Sequence, residues 1–351
     1  MPSSPYLPIF ELTRGRIVES IHYGAIAVVD ATGRLIAQYG DPQAVTYLRS
    51  TAKPFQAMPF IENEGHLAYH LSPREIALMC ASHSGTDEHV AVARSLQAKT
   101  GVAETDLLCG VHPLSYTPTV EAMRQRGEEL TSNRHNCSGK HTGMLAYTRL
   151  KGLPKEDYVN PAHPIQQEIL SRFAAMCELP VAKVEVGIDG CSAPNFAVPL
   201  YNAALGLARL SDPDAGCVEP PKRRAACRTI MDAMTSHPDM VGGPDRFDTD
   251  LMLVMGGRIL AKAGAEGFQG LALRPGLLGP ASPGVGVALK ISDGDVKDRV
   301  RPAIVLEILR QLGVAVDLPP DKRTIYGPSS KVYNWRKIEV GQARPCFDLS
   351  R

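Results

Sequence analysis

Short segments rich in apolar residues occur near both ends of the chain, and the turn signals between them favour β-strands. The N-terminal stretches cover residues 10–20, 23–30 and 35–39, and the turn signal Asp30-Ala31-Thr32-Gly33 separates the last two. The C-terminal stretches cover residues 258–262, 270–274, 285–291 and 332–340, and a further strand is predicted at 184–191. We expect the terminal segments to share one antiparallel sheet.

The middle of the chain carries helical patterns instead. The capping box Ser72-Pro73-Arg74-Glu75 predicts a helix start with proline at the first helical position. Further helices are predicted at residues 86–98, 117–129, 142–150, 164–177, 196–210, 221–234 and 296–312, and loops at 131–141 and 242–245. The predicted fold class is α+β, with an antiparallel sheet from the N- and C-terminal segments flanked by helices and a largely helical middle region. Residues 1–60 and 184–351 would form a discontinuous sheet domain, residues 61–183 a mainly helical region, and the active site would lie between them.

The composition is that of an ordinary globular protein and argues against several classes of function. The chain has 351 residues, 44% hydrophobic and 21% charged, with a formal net charge of +1. Since we find no basic stripe and no apolar run near the ~20 residues of a membrane span, we expect neither a nucleic-acid nor a membrane partner. The N-terminus lacks a signal-peptide pattern, which predicts a cytoplasmic protein. The eight cysteines form no C-x-x-C pair and are expected to be buried thiols, with a few candidate metal ligands among them.

Ser50 and Lys53 are the first candidate catalytic pair. On a helical first turn, their spacing puts the hydroxyl and the amine on one face, about 5–6 Å apart at Cβ. A lysine can activate a serine hydroxyl once burial or a second cation lowers its pKa from about 10.4. Pro54 disfavours the α conformation at Lys53, so we expect a distorted or 3₁₀-like turn. The spacing alone is weak evidence, because 20 serines and 13 lysines give about 0.7 such matches by chance. The alternative is that Ser50 caps a helix and Lys53 is solvated.

The run Ser82-His83-Ser84-Gly85 is a second cluster of reactive side chains. A hydroxyl here could join a proton relay or an oxyanion site. Alternatively, Gly85 ends a helix. His83 is a lone histidine beside serines and is expected to be structural or exposed.

A third cluster is His135-Asn136-Cys137-Ser138-Gly139-Lys140-His141, and it could supply zinc ligands together with Cys191. The alternative is a polar active-site loop that holds a structural cysteine. Asp189, at the end of the predicted strand 184–191, could neutralise a substrate ammonium or fix a lysine; alternatively, it ties down its own turn.

Lys262 lies on a predicted strand, two residues before Gly264. A second ammonium near Lys53 would help to lower the pKa of Lys53, and a small residue would let a substrate lie against the strand edge. The alternative is an exposed strand lysine.

Taken together, these clusters resemble the L-asparaginase II family of the Rhizobium type. The resemblance rests on ordered blocks along nearly the whole chain, namely residues 14–16, 18–24, 49–56, 80–85, 135–141, 187–191 and 330–334. It implies hydrolysis of L-asparagine to L-aspartate and ammonia on a fold similar to serine β-lactamases and glutaminases. It also implies a homodimer.

The resemblance carries roles over to several residues of this chain. Those that it places in catalysis are Ser50 as nucleophile, Lys53 as base, Ser82 as second serine and Lys262 as second active-site lysine. Those that it places in a metal site are Cys137, Lys140 and Cys191, with Asp189 beside them. Zinc would orient the substrate and would not be required for the chemistry, because a serine nucleophile is already present.

The expected mechanism is acyl transfer in two steps. Ser50, deprotonated through Lys53 with Ser82 as relay, attacks the side-chain amide, and water then hydrolyses the β-aspartyl ester. Ser82 as the attacking serine stays open.

Substrate binding is expected to rest on short polar contacts. Asp189 is the candidate for the α-ammonium, Arg49 for the α-carboxylate, and His135 is a further substrate-binding candidate. The competing hypotheses are a glutaminase or another β-lactamase-like amidohydrolase, and a non-catalytic zinc-binding protein.

Overall fold

The computed structural model describes residues 4–296 and 298–351. Residues 1–3 and Lys297 are outside this description. The first residues of the N-terminus, for which no signal peptide is predicted, and one residue of the predicted helix 296–312 therefore lie outside the described residues. The strands are β1 Leu7–Arg14, β2 Ile17–Asp30, β3 Leu35–Tyr39, β4 Val45–Tyr47, β5 Glu185–Ile188, β6 Pro194–Pro199, β7 Ile259–Ala263, β8 Phe268–Leu273, β9 Val285–Ile291, β10 Ser330–Tyr333 and β11 Glu339–Pro345. The helices are α1 Lys53–Glu62, α2 Gly65–Ala68, α3 Pro73–Met79, α4 Asp87–Thr100, α5 Thr117–Arg126, α6 Ser138–Leu150, α7 Pro164–Met176, α8 Leu200–Ser211, α9 Pro221–Ser236, α10 Pro238–Val241, α11 Phe247–Val254, α12 Arg301–Gln311 and α13 Pro320–Tyr326.

The main sheet is antiparallel and joins both ends of the chain. Its strand order is β10-β11-β1-β2-β9-β8-β7, and β3 pairs with the second half of β2. The register aligns Glu11 with Arg344 and Ala27 with Ala288, so N-terminal strands pair directly with C-terminal strands. The predicted α+β class, with one sheet made from the two terminal segments, is confirmed.

The main sheet and the helical region meet in one core. Helix α8 packs against β2 and β9. A Cβ atom at Gly286 in β9 would lie 1.8 Å from the carbonyl oxygen of Ala204 in α8, so only glycine allows this approach. Helices α6, α7 and α9 surround α1, every residue of which is buried. The helix that begins at Lys53 therefore lies in the centre of the helical region.

A second, smaller sheet has the order β4-β6-β5. Both β4 and β5 run antiparallel to β6, so they end at the same side of this sheet. The chain after β4 leads to Arg49, and the chain after β5 leads to Asp189. The small sheet thereby brings these two side chains together.

Several predicted elements have the wrong bounds. The single strand predicted at 10–20 is two strands, because Gly15 adopts a left-handed φ of 55° in the turn between β1 and β2. The strand predicted at 332–340 is likewise a hairpin of β10 and β11. The helix predicted at 196–210 begins only at Leu200, since the preceding apolar run forms the buried strand β6. A short apolar run fits a buried strand and a helix equally well.

Two further differences concern helix starts. Residues 131–141, predicted as a loop, contain a short 3₁₀ turn and the first residues of α6, which begins at Ser138. The predicted helix 296–312 begins at Arg301. The capping box at Ser72 is confirmed, since Ser72 N–H donates to the Glu75 carboxylate at 2.7 Å and Glu75 N–H donates to Ser72 Oγ. The domain boundaries stay a prediction, although no strand occurs among residues 53–183, all of which the structure describes.

The eight cysteines are free thiols, and six of them are buried. Within residues 4–296 and 298–351, no helix combines the length and the apolar composition that crossing a membrane requires.

Candidate active site

The turn that carries Ser50 is irregular, as predicted. Arg49–Ala52 form a 3₁₀ turn, and α1 begins at Lys53. Leu48 N–H donates to the carbonyl of Phe196 in β6 at 3.0 Å, and Thr51 Oγ1 donates to the carbonyl of Lys262 in β7 at 2.8 Å. The turn is thus fixed between the two sheets.

Lys53 is buried and its amine has three oxygen partners. Nζ lies 2.6 Å from the carbonyl of Ala81, 2.9 Å from Ser82 Oγ and 3.3 Å from the carbonyl of Asn136. The solvated lysine considered above is excluded. Among the residues that the structure describes, however, Ser50 Oγ is not a hydrogen-bond partner of this amine.

Lys262 reaches the same hydroxyl from β7. Its Nζ lies 2.8 Å from Ser82 Oγ and 2.9 Å from the carbonyl of Ala263. The side chain is 1% exposed, so the exposed strand lysine is also excluded. Burial, and next the charge of Lys53, hold the pKa of Lys262 well below its ordinary value. Burial thus favours the neutral form of this amine over the charged form.

Ser82 follows α3 and is held by its backbone, since its N–H donates to the carbonyl of Val241 at 2.9 Å. Helix α3 ends at Met79, so Gly85 does not end that helix. His83 is buried with Nε2 2.9 Å from Ser138 Oγ, and it makes no hydrogen bond to Lys53 or Lys262. Ser82 is thus the residue of this cluster that meets both lysines.

A cavity of about 300 Å³ opens above these groups. Its polar lining includes Ser50, Ser82, Asn136, Arg246, Glu266 and Arg301. The last four of these residues were not among the site residues predicted from the sequence. No local motif marks the two arginines or the glutamate, and Asn136 was only part of a longer cluster.

Gly264 lines this cavity, at the position where the sequence predicted that a small residue would leave space for a substrate. The requirement for glycine nevertheless comes from the protein's own backbone, because a Cβ atom at position 264 would lie 2.4 Å from the carbonyl oxygen of Leu48. Glycine at this position lets β7 approach the segment that precedes Ser50.

Arg49 and Asp189 pair with each other. Arg49 Nη2 and Nε donate to Asp189 Oδ1 at 2.8 and 3.1 Å, and Gly190 N–H donates to the same oxygen at 2.7 Å. Arg49 adopts a left-handed φ of 50°, which is strained for arginine. The guanidinium of Arg49 is thereby committed to Asp189, whose Oδ2 makes no hydrogen bond within the described part of the chain.

His135 lies beside the metal candidates. Its Nδ1 accepts from Cys137 N–H at 3.0 Å, and its ring packs edge-on against His112 with 4.4 Å between centroids. It is buried and is not part of the cavity lining.

Cys137, Lys140 and Cys191 come together in a buried cluster. Lys140 Nζ lies 2.8 Å from Cys191 Sγ. A hydrogen bond with Cys191 holds the pKa of Cys137 well below its ordinary value. Burial acts to lower the pKa of Lys140, but the charges of the two neighbouring sulfurs outweigh it, so the pKa of Lys140 is raised. Within residues 4–296 and 298–351, no group of three or more His, Cys, Asp or Glu could hold a metal ion, so a metal here needs the amine of Lys140 as third ligand. Two thiolates and an amine suit zinc, provided that Lys140 loses its proton.

Comparison with known proteins points to one family. No curated protein matches the sequence. Among solved structures, the chain is similar to Mglu in 4.3 M NaCl, with 14% identity, a TM-score of 0.42, and coverage of 82% of this chain and 61% of Mglu. It is also similar to a probable glutaminase from Bacillus subtilis complexed with 6-diazo-5-oxo-L-norleucine, with 11% identity, a TM-score of 0.38 and coverage of 84% and 85%. The chain spans less than two thirds of Mglu, and at these TM-scores neither likeness carries a functional argument. By contrast, residues 10–345 match the L-asparaginase II family, and the chain belongs to this family of amidohydrolases.

Proposed function

We propose that the protein hydrolyses L-asparagine to L-aspartate and ammonia. The observation that carries this proposal is the position of Ser82 Oγ, 2.9 Å from Lys53 Nζ and 2.8 Å from Lys262 Nζ, in the wall of a cavity that Ser50 also lines. Membership of the L-asparaginase II family supports asparagine as the substrate.

The hydrogen bonds give the two lysines different roles. Lys53 has three oxygen partners, which match the three N–H bonds of an ammonium. Burial lowers the pKa of Lys262 well below its ordinary value, so in this proposal its neutral form donates to the carbonyl of Ala263 and accepts a hydrogen bond from Ser82 Oγ, 2.8 Å away. The Ser82 hydroxyl therefore accepts a hydrogen bond from Lys53 and donates one to Lys262, which is the arrangement of a proton shuttle.

In the first step, Ser50 Oγ attacks the side-chain amide carbon. The proton of Ser50 passes to Ser82 Oγ while the proton of Ser82 passes to Lys262 Nζ. The nearby charge of Lys53 stabilises the negative charge that develops. Lys262 then returns a proton through Ser82 to the amide nitrogen, the C–N bond breaks, and ammonia leaves a β-aspartyl ester on Ser50.

In the second step, water replaces Ser50 as the nucleophile. Lys262 accepts a proton from this water through Ser82, the C–O bond of the ester breaks, and Ser50 recovers its proton by the same route. Aspartate is released, and both lysines regain their starting protonation.

The sequence places Ser50 and Lys53 in direct contact, whereas the structure directs Lys53 to Ser82. Lys262 therefore takes the role of base that the sequence analysis gave to Lys53, and Ser50 comes within hydrogen-bonding distance of Ser82 when substrate is bound. The alternative in which Ser82 itself attacks has the activated hydroxyl in its favour. Ser50 is favoured as the nucleophile because it also lines the cavity and its hydroxyl, unlike that of Ser82, is not hydrogen-bonded to the two lysine amines.

Zinc at Cys137, Lys140 and Cys191 is a further part of the proposal. A bound zinc ion would supply positive charge that orients the substrate. The buried thiols of Cys137 and Cys191 and the amine of Lys140 would hold it, while the proton transfers stay with the serines and Lys262.

A homodimer and a cytoplasmic location complete the proposal. The dimer finds support in apolar side chains that are exposed on the terminal hairpins. Gly15 N–H donates to the carbonyl of Val340 at 2.8 Å, so the turn before Ile17 lies next to the loop that carries Trp335 and Ile338. All three apolar side chains are exposed, and a second copy of the chain would cover them.

Ammonia release from L-asparagine and, separately, from L-glutamine tests the proposed activity. We expect asparagine turnover in the wild type, and a loss of roughly 10⁴-fold or more in Ser50→Ala and Lys53→Ala, which is typical of removing a nucleophile or its partner. The exposed Lys155, remote from the cavity, provides the matched control Lys155→Met. Faster turnover of glutamine would favour a glutaminase, and zinc binding without ammonia release would favour a non-catalytic protein.

A further inference from the structure

Arg246 is the residue that precedes α11, and its side chain lines the same cavity as Ser50 and Ser82. Its backbone carbonyl accepts from Asp250 N–H at 3.0 Å as α11 begins, so the backbone position is fixed. Among residues 4–296 and 298–351, no carboxylate or carbonyl lies within hydrogen-bonding distance of its guanidinium. Arg246 therefore brings positive charge to the cavity without a protein counter-ion in direct contact.

Arg301, the other arginine of the cavity lining, is already engaged, and so is Arg49, which precedes Ser50 and is not part of the lining. Arg49 donates two hydrogen bonds to Asp189. Arg301 donates to the carbonyl of Gly264 at 3.0 Å and to Asp298 at 2.5 Å. Arg246 differs from both because its five N–H donors remain available.

We infer that Arg246 binds the α-carboxylate of the substrate. This inference rests on the proposed function and deepens it, since it restricts the substrates to side-chain amides of amino acids with a free α-carboxylate. A guanidinium pairs with a carboxylate through two parallel hydrogen bonds and so fixes orientation as well as position. The role assigned to Arg49 in the sequence analysis thereby passes to Arg246.

The dimensions of the cavity agree with a small, charged ligand. About 300 Å³ is at the lower end of the range of ligand pockets. The cavity places Arg246 and the two serines around one space, so a ligand whose amide meets Ser50 can present its carboxylate to Arg246. An amide without that carboxylate would leave the guanidinium without its partner, and such losses give large discrimination.

The test compares L-asparagine with 3-aminopropanamide, which is asparagine without its α-carboxylate. In Arg246→Gln we expect kcat/KM for asparagine to fall about 10- to 100-fold, mainly through KM, as for the loss of a charged hydrogen bond. The same variant should hydrolyse 3-aminopropanamide at the wild-type rate. Arg299→Gln is the matched control, because Arg299 is exposed and lies outside the lining of this cavity. An equal loss on both substrates, or no loss on asparagine, would overturn the inference.

A binding measurement keeps the inference separate from the activity. By calorimetry, L-aspartate should bind the wild type more tightly than 3-aminopropanoate, and Arg246→Gln should abolish this difference. If the wild type shows the difference but releases no ammonia, the proposed function fails and the carboxylate site stands. If Arg246→Gln keeps the difference, or the wild type lacks it, the carboxylate site fails whatever the activity.

Discussion

The amine of Lys262 lies 2.8 Å from the hydroxyl of Ser82, although 180 positions separate them in the chain. The same hydroxyl is 2.9 Å from Lys53. This relationship puts two buried amines on one serine hydroxyl, and burial lowers the pKa of one of them, Lys262, well below its ordinary value.

Removal of the Lys262 amine should slow turnover strongly while leaving the fold intact. For Lys262→Met we expect kcat for ammonia release to fall about 10²- to 10⁴-fold, which is the usual contribution of a general acid–base group. The melting temperature should stay the same or rise, because methionine is buried without the cost of desolvating an amine. Lys155→Met again serves as the control. A variant that keeps most of its kcat would remove Lys262 from the mechanism.

The stability of the protein should carry a pH signature of Lys262. Burial lowers the pKa of Lys262 in the folded state well below its ordinary value of 10.5, which it keeps in the unfolded state. At any pH between the folded-state and unfolded-state pKa, the unfolded chain therefore carries a proton on Lys262 that the folded chain lacks. In that window the contribution of Lys262 to the free energy of unfolding rises with pH. The cost of this residue to stability is full below the folded pKa and vanishes above about 10.5.

Urea unfolding of the wild type and Lys262→Met over a pH series measures this signature. The difference between the two free energies of unfolding should favour the variant at low pH and shrink as the pH rises towards the ordinary lysine pKa. A difference that stays constant over the series would mean that the pKa of Lys262 is not lowered by folding.

Asp189 should act on the α-ammonium of the substrate. Arg49 and Gly190 occupy its Oδ1, which leaves Oδ2 for a ligand. For Asp189→Asn we expect KM for asparagine to rise at least about 10-fold, as for a lost charged hydrogen bond. Succinamate, which lacks the α-amino group, should be affected much less. Equal losses on both amides would show that Asp189 serves only to hold Arg49.

Zinc content should follow the buried thiols. We expect close to one zinc per chain in the wild type by elemental analysis, and a large loss in Cys137→Ser and Cys191→Ser, because each removes one of the three donors. Cys217 is exposed, so Cys217→Ser is the control that should keep its zinc. Zinc that persists in both thiol variants would place the metal elsewhere, and a wild type free of zinc under metal-replete conditions would contradict the site.

The sequence identifies the reactive residues but does not predict which side chains each of them contacts. Ser50, Lys53 and Ser82 stand in short motifs, so local reading is enough to nominate them. The spacing of Ser50 and Lys53 predicted one shared helical face, and Pro54 predicted the irregular turn that the structure has, but neither indicates where the amine of Lys53 is directed. The 3₁₀ turn that ends at Ala52 instead leaves Lys53 directed to Ser82, which depends on how α3 packs near α1.

Long-range packing also explains what local patterns miss in the cavity and the sheet. Arg246 and Arg301 come from separate segments that meet only in the folded chain, and no motif surrounds either of them. The terminal sheet was predictable because short apolar runs bounded by turn residues are a local signal. The turn at Gly15 was missed, although Thr13-Arg14-Gly15-Arg16 is a polar run that contains a glycine.

Identification of the attacking serine tests the central claim most directly. The diazoketone 5-diazo-4-oxo-L-norvaline, which has the length of asparagine, would alkylate the nucleophile, and tryptic cleavage after Arg49, Arg74 and Arg94 separates Ser50 from Ser82. We predict that mass spectrometry finds the label on Ser50, that Ser50→Ala is not labelled, and that Lys262→Met is labelled much more slowly. A label on Ser82 would contradict the assignment of Ser50 as nucleophile and of Ser82 as proton shuttle.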